Sequence, residues 1–462
     1  MQMPFDIAAD LDTPVSAFRK LSAFDPVFLL ESVEGGQRVG RYSFIGLGRA
    51  LTVRVDKRGV RVNDESVVPA GVGGEVLGML RGVLARAPGL LPAIPGVPFD
   101  GGLVGLIGYD FVRRLERIGP GVVGAGEDEP EVLLVAPRSA LVFDHLTRRA
   151  AVLHSGAEWE RVSLRREVIG ALRGAQPAPA VRAGHAPPTA SMSEGEFARA
   201  VGVVKEHIAC GDVFQLVLSV RFEGGCRSEP FEVYRVLRLL NPSPYMYYFN
   251  FGDVQLAGSS PEALVKVQDG VATLRPIAGT RPRGESDAAD ARHEVELLAD
   301  AKEAAEHVML VDLARNDLGR VAAAGSVRVE PYRSIERYSH VMHIVSGVSG
   351  RLAAGRDAFD AFAAAFPAGT VVGAPKVRAM QIIDGLEPVR RGFYAGTVGY
   401  FSKGGQMDQA IAIRTVMFRG ERYAYQAGAG IVADSSAQGE YAEVRHKVGV
   451  LEAALKLAEE GL

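Results

Sequence analysis

"RYAYQAGAGIVADSSAQGEYAEVRHK", residues 422–447, changes its local structure halfway. Up to "IVA" it reads as a strand, and from about Gln438 onward as a terminal helix. Glu440 and Glu443 stand three apart, with Lys447 four further on, so all three share one helix face. Gly428 and Gly430, just before "IVA", let backbone N–H groups approach an anion closely. A strand that delivers two carboxylates and a lysine beside a glycine-lined backbone is a pattern for holding small charged molecules.

The sequence before it continues the strand theme. "GFYAGTVGYF" (392–401) and "QAIAIRTVMF" (409–418) read as strands, as do "VFQLVLSVRF" (213–222), "YMYYFNF" (245–251), "VQLAGS" (254–259), "ALVKV" (263–267) and "VATLRPI" (271–277). A long helical pattern covers roughly 288–313. Strands in meander order with helices between the groups predict an α+β fold, a sandwich of central antiparallel sheets flanked by helices. "GAQPAPAVRAGHAPPTASMS" (174–193) lacks periodicity and reads as a linker. Directly after it, Ser193 and Glu196 form a capping box that opens a helix. The expected division is therefore a smaller N-terminal α/β part, 1–185, and a large domain, 186–462. In the first part, "ALTVRV" (50–55) and "EVLLVA" (131–136) alternate with the helical "GEVLGMLRGVLARA" (74–87).

Composition excludes several classes. The 462 residues are 47% hydrophobic and 23% charged, with a net charge of −3. No basic field recruits nucleic acid or an anionic membrane. No apolar run reaches the length of a membrane span, and the N-terminus has no signal-peptide pattern. The two cysteines, Cys210 and Cys226, make neither a disulfide framework nor a zinc motif, which fits a reduced, cytoplasmic setting.

A second pair of carboxylates, Glu303 and Glu306 in "DAKEAAEHVMLVDLARNDLGR" (300–320), shares a helix face in the same way. Two helices each offering carboxylates suit Mg²⁺, which prefers a few carboxylates together with water and an anionic substrate. Arg414 interrupts an apolar strand and needs an anion there, either a substrate carboxylate or a structural aspartate. His340 and His343 in "HVMH" are one helical turn apart, a weak metal pair. "GTVVGAPK" (369–376) lacks the spacing of a phosphate loop. From the residues alone, the sequence reads as a magnesium-dependent enzyme acting on a small carboxylate-bearing molecule.

"AEHVMLVDLARNDLGRV" (305–321), "FPAGTVVGAPKVRAMQIID" (366–384), "YAGTVGYF" (394–401), "AIAIRT" (410–415) and "GAGIVADSSAQGEYAEVRHK" (428–447) strongly resemble the chorismate-utilising enzymes over roughly 190–460. The resemblance implies chorismate as substrate and a bound Mg²⁺. Within that family, Gln215 in "GDVFQLVLS" stands where water-adding members carry a lysine base. Ala278 in "RPIAGTRPRG" (275–284) stands where aminodeoxychorismate-forming members carry a lysine, and the anthranilate synthases show this alanine. The implied reaction is chorismate plus ammonia to anthranilate and pyruvate, the first step of tryptophan biosynthesis. The rival readings are aminodeoxychorismate synthesis and a non-catalytic tryptophan sensor on the same fold.

By the same resemblance, Glu306 and Glu443, with Glu440, carry Mg²⁺, and Glu303 supports it. Glu262 in "SSPEAL" is the general acid, and His343 and Thr370 serve the reaction. Ala278, Gly279, Thr280, Tyr394, Arg414, Gly428, Gly430 and Lys447 surround the substrate. "FLLESVEGGQRVGRYSFIG" (28–46) and "NPSPYMYYF" (241–249) resemble the segments that bind inhibitory L-tryptophan, through Glu31, Ser32, Pro244, Tyr245 and Met246. Neither cysteine sits in a nucleophile elbow, so ammonia is expected from a separate glutamine amidotransferase subunit in a hetero-oligomer. The flanking Arg281 and Arg283 read as solvated.

Overall fold

The computed structural model describes residues 5–32, 40–68, 75–119, 121–122, 129–178, 184–337 and 341–461. The fold is α+β, and every strand pairing among the described residues is antiparallel. Most strands join one large curled sheet, and a separate three-stranded sheet packs to one side.

The two parts of the chain share that large sheet. Strand Pro26–Glu31 pairs with Tyr245–Asn250 in the register Met246↔Glu31 and Tyr247↔Leu30. Strand Gly102–Ile107 pairs with Thr397–Ser402. Of the expected linker, 174–193, residues 179–183 lie outside the described residues, and Thr189–Ala190 pairs with strand Gln215–Gly225.

Strand Arg422–Ile431 lies beside Gln215–Gly225 over ten residues, with Gly430↔Val217 and Gly428↔Ser219. It then turns into the terminal helix, Ala437–Glu460, capped by Ser436. Val444, Val448, Leu451 and Leu455 form the buried stripe of this helix, at helical spacing. That stripe packs on the strand and on helices Glu194–Ala209 and Pro230–Leu240. Glu440, Glu443 and Lys447 therefore fall on the flank of the helix beside the strand's glycines. The Ser193–Glu196 capping box is present: Glu196 N–H donates to Ser193 Oγ, and Ser193 N–H donates to the Glu196 carboxylate.

The long helical pattern expected over 288–313 is two helices, Asp287–Ala299 and Ala301–Gly319. Asp300 separates them, because its extended backbone lets the carboxylate accept the N–H groups of Lys302 and Glu303 as an N-cap. The "HVMH" segment is not helical either. His343 lies in strand Val341–Val345, and His340 is outside the described residues. "PIAGT" is a strand, Ile277–Pro282, with a bulge between Ala278 and Thr280 where Gly279 takes φ +67°. Arg281 and Arg283 are ion-paired rather than merely solvated. Arg281 reaches Asp300 at 2.8 Å and Glu303 at 3.4 Å, and Arg283 holds Asp290.

Candidate active site

The glycine-bearing strand, the terminal helix and the start of helix Ala301–Gly319 enclose a cavity of ≈ 380 Å³. Of the predicted site residues, Glu262, Glu306, Thr370, Tyr394, Arg414, Gly428, Gly430, Glu440, Glu443 and Lys447 all line it. Gln215 lines it too. Residues some 230 positions apart in the chain thus converge because a strand pair and two helix ends meet here.

Arg414 is not inside a strand. It occupies the turn between Met407–Ile411 and Thr415–Arg419, with φ +50°, a left-handed conformation that a non-glycine residue adopts only when its surroundings hold it there. Burial lowers its affinity for its proton, and Glu443 and Tyr394 act the other way. No ion pair to Arg414 forms among the described residues, so the structural-aspartate reading has no partner for it. The guanidinium is an anion site facing the cavity.

Lys447 lies 2.6 Å from Glu443 and donates to the Gly428 carbonyl at 2.8 Å, which ties the helix to the glycine strand. Tyr394 is buried and receives the Gly428 N–H, and burial pushes its hydroxyl up to about 12. It therefore stays a neutral hydrogen-bond donor at any ordinary pH. A Cβ at position 430 would come within 2.5 Å of Gln215 Nε2, so glycine leaves room for this amide where it stands.

Glu262 behaves unlike an ordinary carboxyl. Burial pushes it up to about 7, against the opposing effects of the Thr370 hydrogen bond and Lys447. Thr370 Oγ1 donates to it at 2.8 Å. A carboxyl poised near neutrality beside a cavity suits proton transfer.

Glu306 is also raised, first by burial and then by the charges of Glu303 and Glu443. Lys302 and Lys447 act against that shift. Among the described residues, no three His, Cys, Asp or Glu side chains form a ready-made metal cage. Two opposed carboxylates, with Glu440 lining the same space, fit a cation that keeps several waters and a substrate oxygen in its shell.

The remaining predicted residues stand next door. Ala278, Gly279, Thr280 and His343 belong to the three-stranded sheet and do not line the cavity. His343 Nδ1 lies 3.0 Å from the Gly279 carbonyl, to which it donates, and 3.1 Å from Thr280 Oγ1. Burial lowers its affinity for a proton. Glu303 points toward this sheet, 3.1 Å from where a Cβ on Gly279 would be, while Glu306 one turn on faces the cavity. The small sheet rests on a core of Leu297, Met342 and Ile344.

A second cavity, of ≈ 440 Å³, lies where Pro26–Glu31 meets Tyr245–Asn250, and Glu31, Ser32, Pro244, Tyr245 and Met246 all line it. Glu31 accepts from Tyr234 Oη at 2.6 Å and Arg238 Nε at 3.2 Å. The Ser32 hydroxyl oxygen is buried without a hydrogen-bond partner among the described residues. A narrow space of ≈ 50 Å³ runs between the two cavities. Glu262 and Thr370 border it and the first cavity, while Ala263 and Arg275 border it and the second.

Sequence reasoning missed several residues of the first site. Lys302 lines it one turn before Glu306, a spacing that was available to read. Gln426 also lines it, inside the stretch read only for its glycines. Behind the cavity, buried Arg391 holds Glu387 at 2.7 Å and donates to the carbonyls of Val371 and Val217 at 2.6 and 2.8 Å. Its guanidinium also lies 5.6 Å from the Tyr394 ring centre. Glu387, four residues before it, is a local partner, but the Val371 and Val217 carbonyls come from distant segments that no local pattern announces.

Residues 25–453 match the family model described as chorismate binding enzyme. The chain belongs to this family. It is 45% identical to anthranilate synthase component 1 of Pseudomonas aeruginosa, over 100% of this chain and 96% of that protein. It is 45% identical to anthranilate synthase component 1 of Thermus thermophilus, over 98% and 97%. The crystal structure of anthranilate synthase component I from Streptococcus pneumoniae superposes with a TM-score of 0.78 at 36% identity, covering 89% of this chain and 92% of that one.

Proposed function

We propose that this chain is the chorismate-converting component of an anthranilate synthase. The observation that carries the reading is the 380 Å³ cavity whose lining brings Arg414 and Lys447 together with Glu306 and Glu443, and with Glu262 poised near neutrality. The full-length similarity to anthranilate synthase components supports the same member of the family.

In this reading Arg414, Lys447 and Tyr394 bind the two carboxylates of chorismate, and the backbone at Gly428 and Gly430 lets the substrate lie close. Glu306 and Glu443, assisted by Glu440, hold Mg²⁺, which when bound neutralises the ring carboxylate and charge that develops nearby. Ammonia forms a C–N bond at C2 as the C4 hydroxyl leaves. Protonated Glu262, held by Thr370, gives the hydroxyl its proton so that it departs as water. Loss of the C2 proton with cleavage of the enolpyruvyl C–O bond then releases pyruvate and makes the ring aromatic. The small sheet closes over this step, bringing Ala278, Gly279, Thr280 and His343 to the reacting ring, with Glu303 supporting the metal site from beneath. Residues 186–462 carry the chemistry. Residues 1–185 contribute Glu31 and Ser32 to a tryptophan pocket completed by Pro244, Tyr245 and Met246. A separate glutamine amidotransferase supplies the ammonia in the cytoplasm, in a hetero-oligomer.

The test is the purified chain with chorismate, Mg²⁺ and ammonium at raised pH, followed by anthranilate fluorescence with and without tryptophan. Anthranilate formation that tryptophan suppresses is the expected result. Chorismate consumed without anthranilate would replace this reading with the aminodeoxychorismate reaction.

A further inference from the structure

Arg275 follows strand Val271–Leu274 of the large sheet and stands two residues before strand Ile277–Pro282 of the small one. Other crossings between the sheets lie beside it. Ser346 N–H donates to the Pro276 carbonyl at 3.1 Å, and Gly347 N–H donates to the Pro331 carbonyl at 2.8 Å. The Arg275 side chain bridges this seam: its Nη2 pairs with Glu336 Oε1 on strand Ser334–Arg337. Glu336 lies opposite His343, and His343 lies opposite Thr280, so the three form one row across the small sheet.

Arg275 also lines the second cavity. The side chains of the ion pair are 42% and 33% exposed, so the pair is weak and open to a competing anion. Two other cations line the same cavity, Arg41 and Lys266. Arg41 holds Asp144 at 2.9 Å, and Lys266 lies 3.8 Å from Asp408. Both of those partners belong to the large sheet. The partner of Arg275 belongs to the small sheet, so a ligand that draws on this guanidinium acts on the row that includes His343.

We propose that Arg275 is a positioning residue that acts through Glu336. The ion pair steadies the small sheet for the reaction, and a carboxylate-bearing ligand in the second cavity competes with Glu336 for the guanidinium. The inference rests on the anthranilate synthase reading above and supplies the route by which tryptophan in the second cavity opposes chorismate in the first. A ligand shifts an equilibrium only by binding its two states unequally. Here the inequality is the state of Arg275, committed to Glu336 when the small sheet is in place and released to the ligand when it is not. Such coupling is reciprocal, so chorismate weakens tryptophan binding by the factor by which tryptophan weakens chorismate binding.

The experiment measures tryptophan binding to the full chain by calorimetry in Mg²⁺, without chorismate and with chorismate saturating. Ammonium is left out, so no anthranilate forms. The ratio of the two Kd values is the coupling, and it cancels any direct effect of a substitution on tryptophan affinity. Arg275→Gln and Glu336→Gln should each bring that ratio about fivefold closer to one. The double variant should go no further than either single, because the two residues act as one unit. A ratio within about twofold of the parent's in either single variant overturns the inference, as do single effects that multiply in the double. A pair that only props up the fold would change stability and leave the ratio in place. If Arg275→Gln fails to fold, Glu336→Gln decides by the same criterion. If the parent chain forms no anthranilate from ammonium or binds no tryptophan, the functional reading falls and this inference with it; a coupled parent beside equally coupled variants sinks this inference alone.

Discussion

The two large cavities differ in how their charges are settled. In the second, Glu31 is matched by Tyr234 and Arg238, and Tyr245 Oη reaches Asp408 at 3.2 Å. Its lining is rich in aromatic and aliphatic side chains such as Tyr42, Phe44, Met246 and Tyr400. In the first, Glu306 is raised by burial and then by the charges of Glu303 and Glu443, and among the described residues Arg414 has no ion-pair partner and Gln426 Oε1 no hydrogen-bond partner. Among the described residues that line the second cavity, the Ser32 hydroxyl is a buried group without a hydrogen-bond partner. The first leaves several of its polar groups without partners among the described residues, the electrostatic arrangement that catalysis requires.

That contrast can be broken by substitutions on either side. The largest effect is expected from Glu262→Gln, which removes the proton donor and should lower kcat by about 10²–10⁴-fold. Glu262 is raised to about 7, so its proton is present below that pH and lost above it. With free ammonia kept saturating, kcat of the parent chain should fall as pH rises through about 7, and the variant should lose that limb. Next, Arg414→Gln should cut kcat/KM for chorismate by roughly 10²–10³-fold, since truncating one partner of a buried charge pair costs about 2–5 kcal/mol. Steady-state kinetics at both substrates would show this, with tryptophan binding unchanged.

On the other side, Ser32→Ala should weaken tryptophan inhibition by about tenfold, as expected for losing one buried hydrogen bond of about 1.5 kcal/mol. Its kcat should stay within about twofold of the parent's. An equal loss of activity and inhibition would mean that the two cavities are not separate in function. The smallest effect is structural. Asp300→Ala removes a helix cap and the Arg281 partner, and should cost about 1 kcal/mol in denaturant unfolding. Hydrogen exchange should quicken first in the small sheet, whose own core of Leu297, Met342 and Ile344 is small.

Much of the first cavity was legible because its residues sit at local spacings with a physical reading. Glu440, Glu443 and Lys447 share a helix face wherever the helix lies, and Glu306 was marked by its neighbour Glu303. Arg414 was conspicuous as a charge among apolar residues, although its place in a turn was not. The helix break at Asp300 was hidden, because an acidic residue within a helical pattern looks the same whether it continues the helix or caps the next one. The bulged strand at Gly279 was hidden for a similar reason. Gly, Pro and Thr signal a turn locally, and only pairing with Val341–Val345 makes the segment a strand.

The sequence by itself determined the α+β class, the strand that leads into the terminal helix, and the carboxylate pairs, because periodicity and capping act over a few residues. Only the tertiary structure decided that Glu306 faces Glu443 while Glu303 turns away to the small sheet. It alone decided that Glu262 is buried enough to hold its proton near neutrality, and that Arg414 sits in a left-handed turn at the cavity. Each of these depends on groups from distant segments and on burial, and burial is set by packing rather than by any neighbour in the chain.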